Sequence, residues 1–135
     1  MEPIANRRAR PLSPNIQIYR PQLTSVLSIA NRITGVGLTV CSVVLVVWLA
    51  AAASGQEAYD SFHYLIGSWP GLLLLLAATF AFFLHLFGGI RHLIWDSVRA
   101  FELRQIYTSG WIVIALSVAL TLIAWLGSLA VARQG

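Results

Sequence analysis

Residues Ala81-Phe-Phe-Leu-His85-Leu-Phe-Gly88-Gly89-Ile-Arg91-His92-Leu-Ile-Trp-Asp96 decide how the whole chain is read. One histidine stands inside an apolar run, four residues before the end of a Gly-Gly pair and seven before a second histidine at a charged boundary. An ionisable side chain at membrane depth is costly, so it marks a functional position unless shown otherwise. Imidazole is also an axial ligand of haem iron. The segment therefore predicts a membrane helix able to carry a redox centre.

Composition agrees with a membrane chain. Of 135 residues, 58% are hydrophobic and 10% charged, against roughly 25% charged in soluble domains. A soluble fold of this size buries only about two-thirds of its unfolded surface, so lipid must cover the rest. All nine basic residues are arginine and the net charge is +4. These arginines flank apolar stretches and form no separate basic domain, which argues against nucleic acid as a partner. The single cysteine, Cys41, lies mid-run; it can form no intrachain disulfide and reads as a small packed thiol.

Residues 33–56, 61–90 and 105–132 carry no charge, and each run exceeds the ~20 residues needed to cross the hydrocarbon core. The expected architecture is all-α, with three transmembrane helices near 31–53, 69–90 and 111–131. Residues 61–68 are expected to form an interfacial turn. Trp69-Pro70 suits a helix start, Trp111 suits an interface anchor, and Trp48, mid-span, is expected to pack inside the bundle. Thr24 and Ser25 are candidate caps for the first helix.

Eight arginines lie before the first span and between the second and third, and only Arg133 follows the third; the loop at 54–68 holds Glu57 and Asp60. The positive-inside rule then puts the N-terminus in the cytoplasm and the C-terminus outside. Residues 1–30 have a basic start followed by Pro11, Pro14 and Pro21 instead of an apolar h-region, so they read as a cytoplasmic arm and the beginning of the first helix, not a secretory signal. Residues 31–135 form the three-helix anchor.

Along the second span, Ala78, Ala81, Gly88, Gly89 and His92 share the face of His85. His85 lies roughly 8 Å inside the end of that span, five residues from Ile90. A stripe of small residues admits either a flat macrocycle or a second helix. Spacing leaves open both haem ligation and a histidine hydrogen-bonded across a packing seam. If His85 binds haem, His92 points the same way and cannot reach the opposite face of the same ring. A second ligand would then come from another subunit. His92 suits solvent or a haem propionate, and Asp96 an ion pair with Arg91 or Arg99. In the first span, Ser28 and Arg32 are four residues apart on one helix face and can together hydrogen-bond a carbonyl-bearing head group. The alternative is an arginine that snorkels to the interface beside a packed serine. Ser28, Arg32, His85, His92 and Asp96 all fall at the cytoplasmic ends of their spans. No paired carboxylates, Cys-x-x-Cys, phosphate loop or Ser-His-Asp set occurs, and no span has a charge near its middle to suggest a transporter.

Two stretches resemble a known family. Arg10-Pro-Leu-Ser-Pro-Asn-Ile-Gln-Ile-Tyr19, with Ser28-Ile-Ala-Asn31-Arg32-Ile-Thr34-Gly35 after it, resembles the N-terminal signature of the cytochrome b subunit of succinate dehydrogenase, the larger membrane anchor of respiratory complex II. His85-x-x-x-Gly89-Ile-Arg-His92-x-x-x-Asp96 resembles its second signature. The resemblance implies a second three-helix membrane-anchor subunit, an iron–sulfur subunit and a flavoprotein subunit as partners. It also implies haem b shared between the anchors and ubiquinone as electron acceptor. Carried over residue by residue, it makes His85 the axial ligand of the haem iron, places Ser28 at the quinone, and places Arg32 at the quinone or a haem propionate. No residue of this chain would catalyse succinate oxidation itself. Two departures stand out: Asn31 and Asn15 occupy positions where the family commonly has histidine, which puts a propionate contact at residue 31 in doubt. A haem-free structural anchor and a fumarate reductase anchor are the alternatives; His85 argues against the first. The expected location is a bacterial inner membrane in preference to a mitochondrial one.

Overall fold

The computed structural model describes residues 21–99 and 102–134. The expected arm over residues 1–20 lies outside them. Four helices follow in order: α1 (Leu23–Ser54), α2 (Gln56–Ile66), α3 (Trp69–Asp96) and α4 (Leu103–Ala132). Three of them, α1, α3 and α4, are long and apolar enough to cross a membrane, and among the described residues there is no strand. This is the all-α, three-span architecture expected from the uncharged runs. Within lipid a chain must satisfy its backbone hydrogen bonds internally, and an uncharged run of this length meets that demand as a helix.

The helices continue beyond the uncharged runs at the arginine-bearing end. α1 begins at Leu23, with Gln22 as an extended N-cap and no side-chain cap bond, so neither Thr24 nor Ser25 caps it. Both lie inside the first turn, past the position from which a hydroxyl can reach the free N–H groups. Ser68 caps α3 by accepting from the N–H of Gly71 at 3.4 Å, with Pro70 in the first turn as expected.

The expected turn at 61–68 is instead mostly helix. α2 runs to Ile66, and Ala58, Tyr59, Phe62 and Ile66 are half-buried while Glu57, Asp60 and Ser61 are exposed. That is a helical period on a polar segment, and it folds because the apolar face packs against α1 and α3. The chain then reverses sharply at Gly67 and Ser68. A Cβ at Gly71 would collide with the carbonyls of Leu65 and Ile66, so glycine is required for α2 to sit on the start of α3.

Neighbouring contacts fix the packing directions. Asn31 meets Gly88 and Gly35 meets His85, so α1 and α3 are antiparallel. Arg91 meets Ser109, and Thr79 meets Trp125, so α3 and α4 are antiparallel as well. Gly110 lets α4 approach Leu23 and Leu27 of α1. The buried core, Leu27, Leu84 and Val113 with Leu23, Ala30, Phe80, Phe87 and Ile114 around it, sits at the end where α1 and α4 begin. Gly110, Val113, Ser117 and Thr121 form the buried face of α4. The Ser117 and Thr121 hydroxyls donate to carbonyls one turn back, which removes free polar groups from the seam. Past Gly35, α1 exposes Val36, Val40, Val43 and Val47. Trp48, expected inside the bundle, is 37% exposed, because this part of α1, residues 42–50, is left uncovered by the other helices.

Candidate functional site

The site is built where α1 and α3 meet at Gly35 and Gly88. Nδ1 of His85 lies 3.0 Å from the backbone carbonyl of Asn31 and 3.3 Å from Oγ1 of Thr34. A carbonyl oxygen can only accept, so Nδ1 carries the proton. In the neutral ring Nε2 is then an unprotonated lone-pair donor. This is the arrangement found when imidazole ligates a metal: one nitrogen donates to the protein while the other is free to bind. A packing histidine does not need that tautomer, but the cross-helix bond is also what the alternative sequence reading foresaw.

Glycine makes the approach possible. A Cβ at Gly35 would lie 3.0 Å from Cε1 of His85, and one at Gly88 would lie 2.5 Å from Oδ1 of Asn31. By contrast, a Cβ at Gly89 would meet nothing within 4 Å. The small-residue stripe read from sequence therefore divides. Gly88 is occupied by α1, whereas Gly89 leaves its side of α3 open.

Asn31 contributes to His85 through its backbone and not its side chain. Oδ1 of Asn31 is buried and has no hydrogen-bond partner among the described residues. It faces a cavity of about 10 Å³ lined by Leu27, Asn31, Leu84, Gly88, Arg91, His92 and Val113, the least space that admits one water molecule. His92 lines this cavity, and its ring packs edge-on against Trp95.

Arg91 departs from the expected ion pair with Asp96. It is buried at 6% exposure; Nε donates to Ser109 Oγ at 3.0 Å, and a terminal nitrogen donates to the Ile106 carbonyl at 2.9 Å. Its guanidinium carbon stands 4.0 Å over the Trp95 ring. Asp96 is exposed on the far side of the last turn. A buried cation near the membrane is tolerated when several groups satisfy its donors, and α4 supplies them here. Arg91 is a clamp between α3 and α4. Sequence reasoning placed it at a charged boundary because nothing local shows that Ile106 and Ser109 lie opposite.

Ser28 is half-buried and Arg32 exposed on α1. By helical spacing they form one row with Gly35, beside the face that meets His85. Among the described residues neither side chain has a hydrogen-bond or ion-pair partner. His63 is far from the site: it lies on α2, stacked on Tyr59 at 5.7 Å. Two contributors escaped the sequence reading. Thr34 and Gly35 follow Arg32 after Ile33, and only the helical spacing of residues 31, 34 and 35 could have grouped them on one face.

Comparison with known proteins identifies the lineage. The family described as succinate dehydrogenase/fumarate reductase transmembrane subunit matches residues 6–124. The chain belongs to that family. Its relatives include the succinate dehydrogenase cytochrome b560 subunit of Reclinomonas americana, 38% identical over 122 residues that cover 87% of this chain and 85% of the relative. The cytochrome b556 subunit of Paracoccus denitrificans is 37% identical over 118 residues, covering 87% and 91%. The mitochondrial cytochrome B subunit of Schizosaccharomyces pombe is 36% identical over 121 residues, covering 85% and 67%. With its three membrane-length helices, the chain stands among the succinate dehydrogenase cytochrome b membrane subunits, components of an electron-transport complex.

Proposed function

We propose that this subunit binds a b-type haem through Nε2 of His85, that a second membrane-anchor subunit supplies the other axial ligand, and that Ser28 and Arg32 form part of an adjoining ubiquinone site. One observation carries the reading: the Asn31 carbonyl fixes the proton on Nδ1 of His85, leaving Nε2 as the donor atom. The residues fit the group. His85 offers one axial bond, Gly35 gives its ring room, and Arg32 is a fixed cation on the adjoining row of α1 for a propionate. When bound, haem supplies a one-electron carrier whose potential is set by its axial ligands and their hydrogen bonds.

The remaining chemistry belongs to α1. A guanidinium and a hydroxyl four residues apart can both donate to one quinone carbonyl oxygen, which favours the build-up of negative charge there during reduction. The positive-inside rule puts this end of the bundle at the cytoplasmic face. There, iron–sulfur and flavoprotein subunits can dock, and water is near for proton uptake. The membrane is a bacterial inner membrane. The valine-rich face of α1 is where lipid or the second anchor packs.

The test is a spectrum of the purified complex. A dithionite-reduced b-type α-band is expected for the native chain, and its absence would remove the haem assignment.

A further inference from the structure

We infer that Thr34 is a positioning residue for His85: its hydroxyl oxygen, as a second acceptor for the Nδ1 proton, fixes the plane of the ring and strengthens Nε2 as a donor. The inference rests on the haem reading above. Oγ1 of Thr34 donates to the Ala30 carbonyl at 2.8 Å and lies 3.0 Å from the Asn31 carbonyl. Its proton is therefore committed to the backbone, and it can face Nδ1, 3.3 Å away, only as an acceptor. The Nδ1 proton is shared between two oxygens of α1, the Asn31 carbonyl at 3.0 Å and the Thr34 hydroxyl at 3.3 Å.

Two acceptors restrain a ring in a way that one cannot. A single hydrogen bond leaves the imidazole free to swing about the N–H axis; a second, displaced along α1, removes most of that freedom. Thr34 is itself held in place, because its β-branched side chain has few rotamers and its hydroxyl is tied to the preceding turn. Gly35 completes the cradle by leaving the ring edge its space. Acceptors at Nδ1–H shift electron density toward Nε2 and make it the more basic ligand. A more basic axial nitrogen favours the oxidised iron, so the hydroxyl holds the haem potential down.

The experiment uses the whole membrane complex carrying Thr34→Val, Thr34→Ala or Thr34→Ser, with potentiometric titration of the b-type α-band and low-temperature paramagnetic resonance of the oxidised haem. The hydroxyl-free variants are expected to retain haem at a raised midpoint potential with an altered resonance spectrum. Thr34→Ser, which keeps the oxygen, is expected to return both to the native values. Native potential and spectrum in Thr34→Val and Thr34→Ala would overturn the assignment. Failure of both to assemble while Thr34→Ser assembles would also overturn it, since the hydroxyl would then serve to hold the helices together and not to tune the ring. A native complex lacking haem would instead remove the underlying haem reading.

Discussion

Gly35 of α1 stands directly against the His85 ring of α3, with 3.0 Å between the place a Cβ would occupy and Cε1. The only soft response to a side chain there is a shift of the imidazole. Gly35→Ala needs a displacement of a few tenths of an ångström. Gly35→Val needs much more and is expected to reduce haem content roughly tenfold, the equivalent of about 1.4 kcal/mol of overpacking at the ligand. Haem per complex, measured by pyridine haemochrome against flavin, checks this.

His85→Ala is expected to abolish most haem binding, whereas His92→Ala retains most of it, because only His85 has its second nitrogen tied to a carbonyl. His92 lines the small cavity and packs on Trp95. The α-band of the two purified complexes is the measurement, and the reverse pattern would reject His85 as the ligand.

Asn31→Ala should keep the haem. The bond to His85 comes from the backbone, which the substitution leaves in place, and the side-chain oxygen it removes is buried without a partner among the described residues. Deleting an unsatisfied buried acceptor costs little and can stabilise. Thermal unfolding of the detergent-solubilised complex should therefore shift little. A large loss of haem would mean that the amide, and not the carbonyl, matters.

Arg32→Ala and Ser28→Ala are expected to impair succinate–quinone activity much more than succinate oxidation followed with an artificial dye, because the dye is reduced before the membrane site is reached. The arginine variant should lose more, since a charged donor contributes about twice a neutral one. Parallel assays on the same membranes check this; equal loss of both activities would point to assembly.

Arg91→Ala removes two bonds to α4 and the packing on Trp95. Interhelical hydrogen bonds in membranes contribute about 0.6–1.7 kcal/mol each, so a loss of about 1–3 kcal/mol is expected, seen as a lower thermal midpoint of the complex. Ser109→Ala, which removes only the acceptor for Nε, should lose less than half as much.

How much of this was legible follows from what each pattern encodes. An uncharged run of more than 20 residues has one solution in lipid, so the three spans could be read directly, and helical spacing alone put Ser28 beside Arg32 and His92 on the face of His85. The chain's kinship was legible too, from two motifs that the matched family spans. The polar segment at 56–66 was harder, because its apolar period, from Ala58 to Ile66, becomes decisive only once α1 and α3 offer a surface to cover it.

Sequence determined which residues share a helix face, because 3.6 residues per turn is a local property of the backbone. The tertiary structure alone decided what stands opposite each face. Register between α1 and α3 brought the carbonyl of Asn31, the hydroxyl of Thr34 and the bare edge of Gly35 to one imidazole. Register between α3 and α4 turned Arg91 inward to Ile106 and Ser109 and away from Asp96. The first register arises from close packing at Gly35 and Gly88 and the second from the Arg91 clamp and the contact of Thr79 with Trp125, and no single segment carries that information.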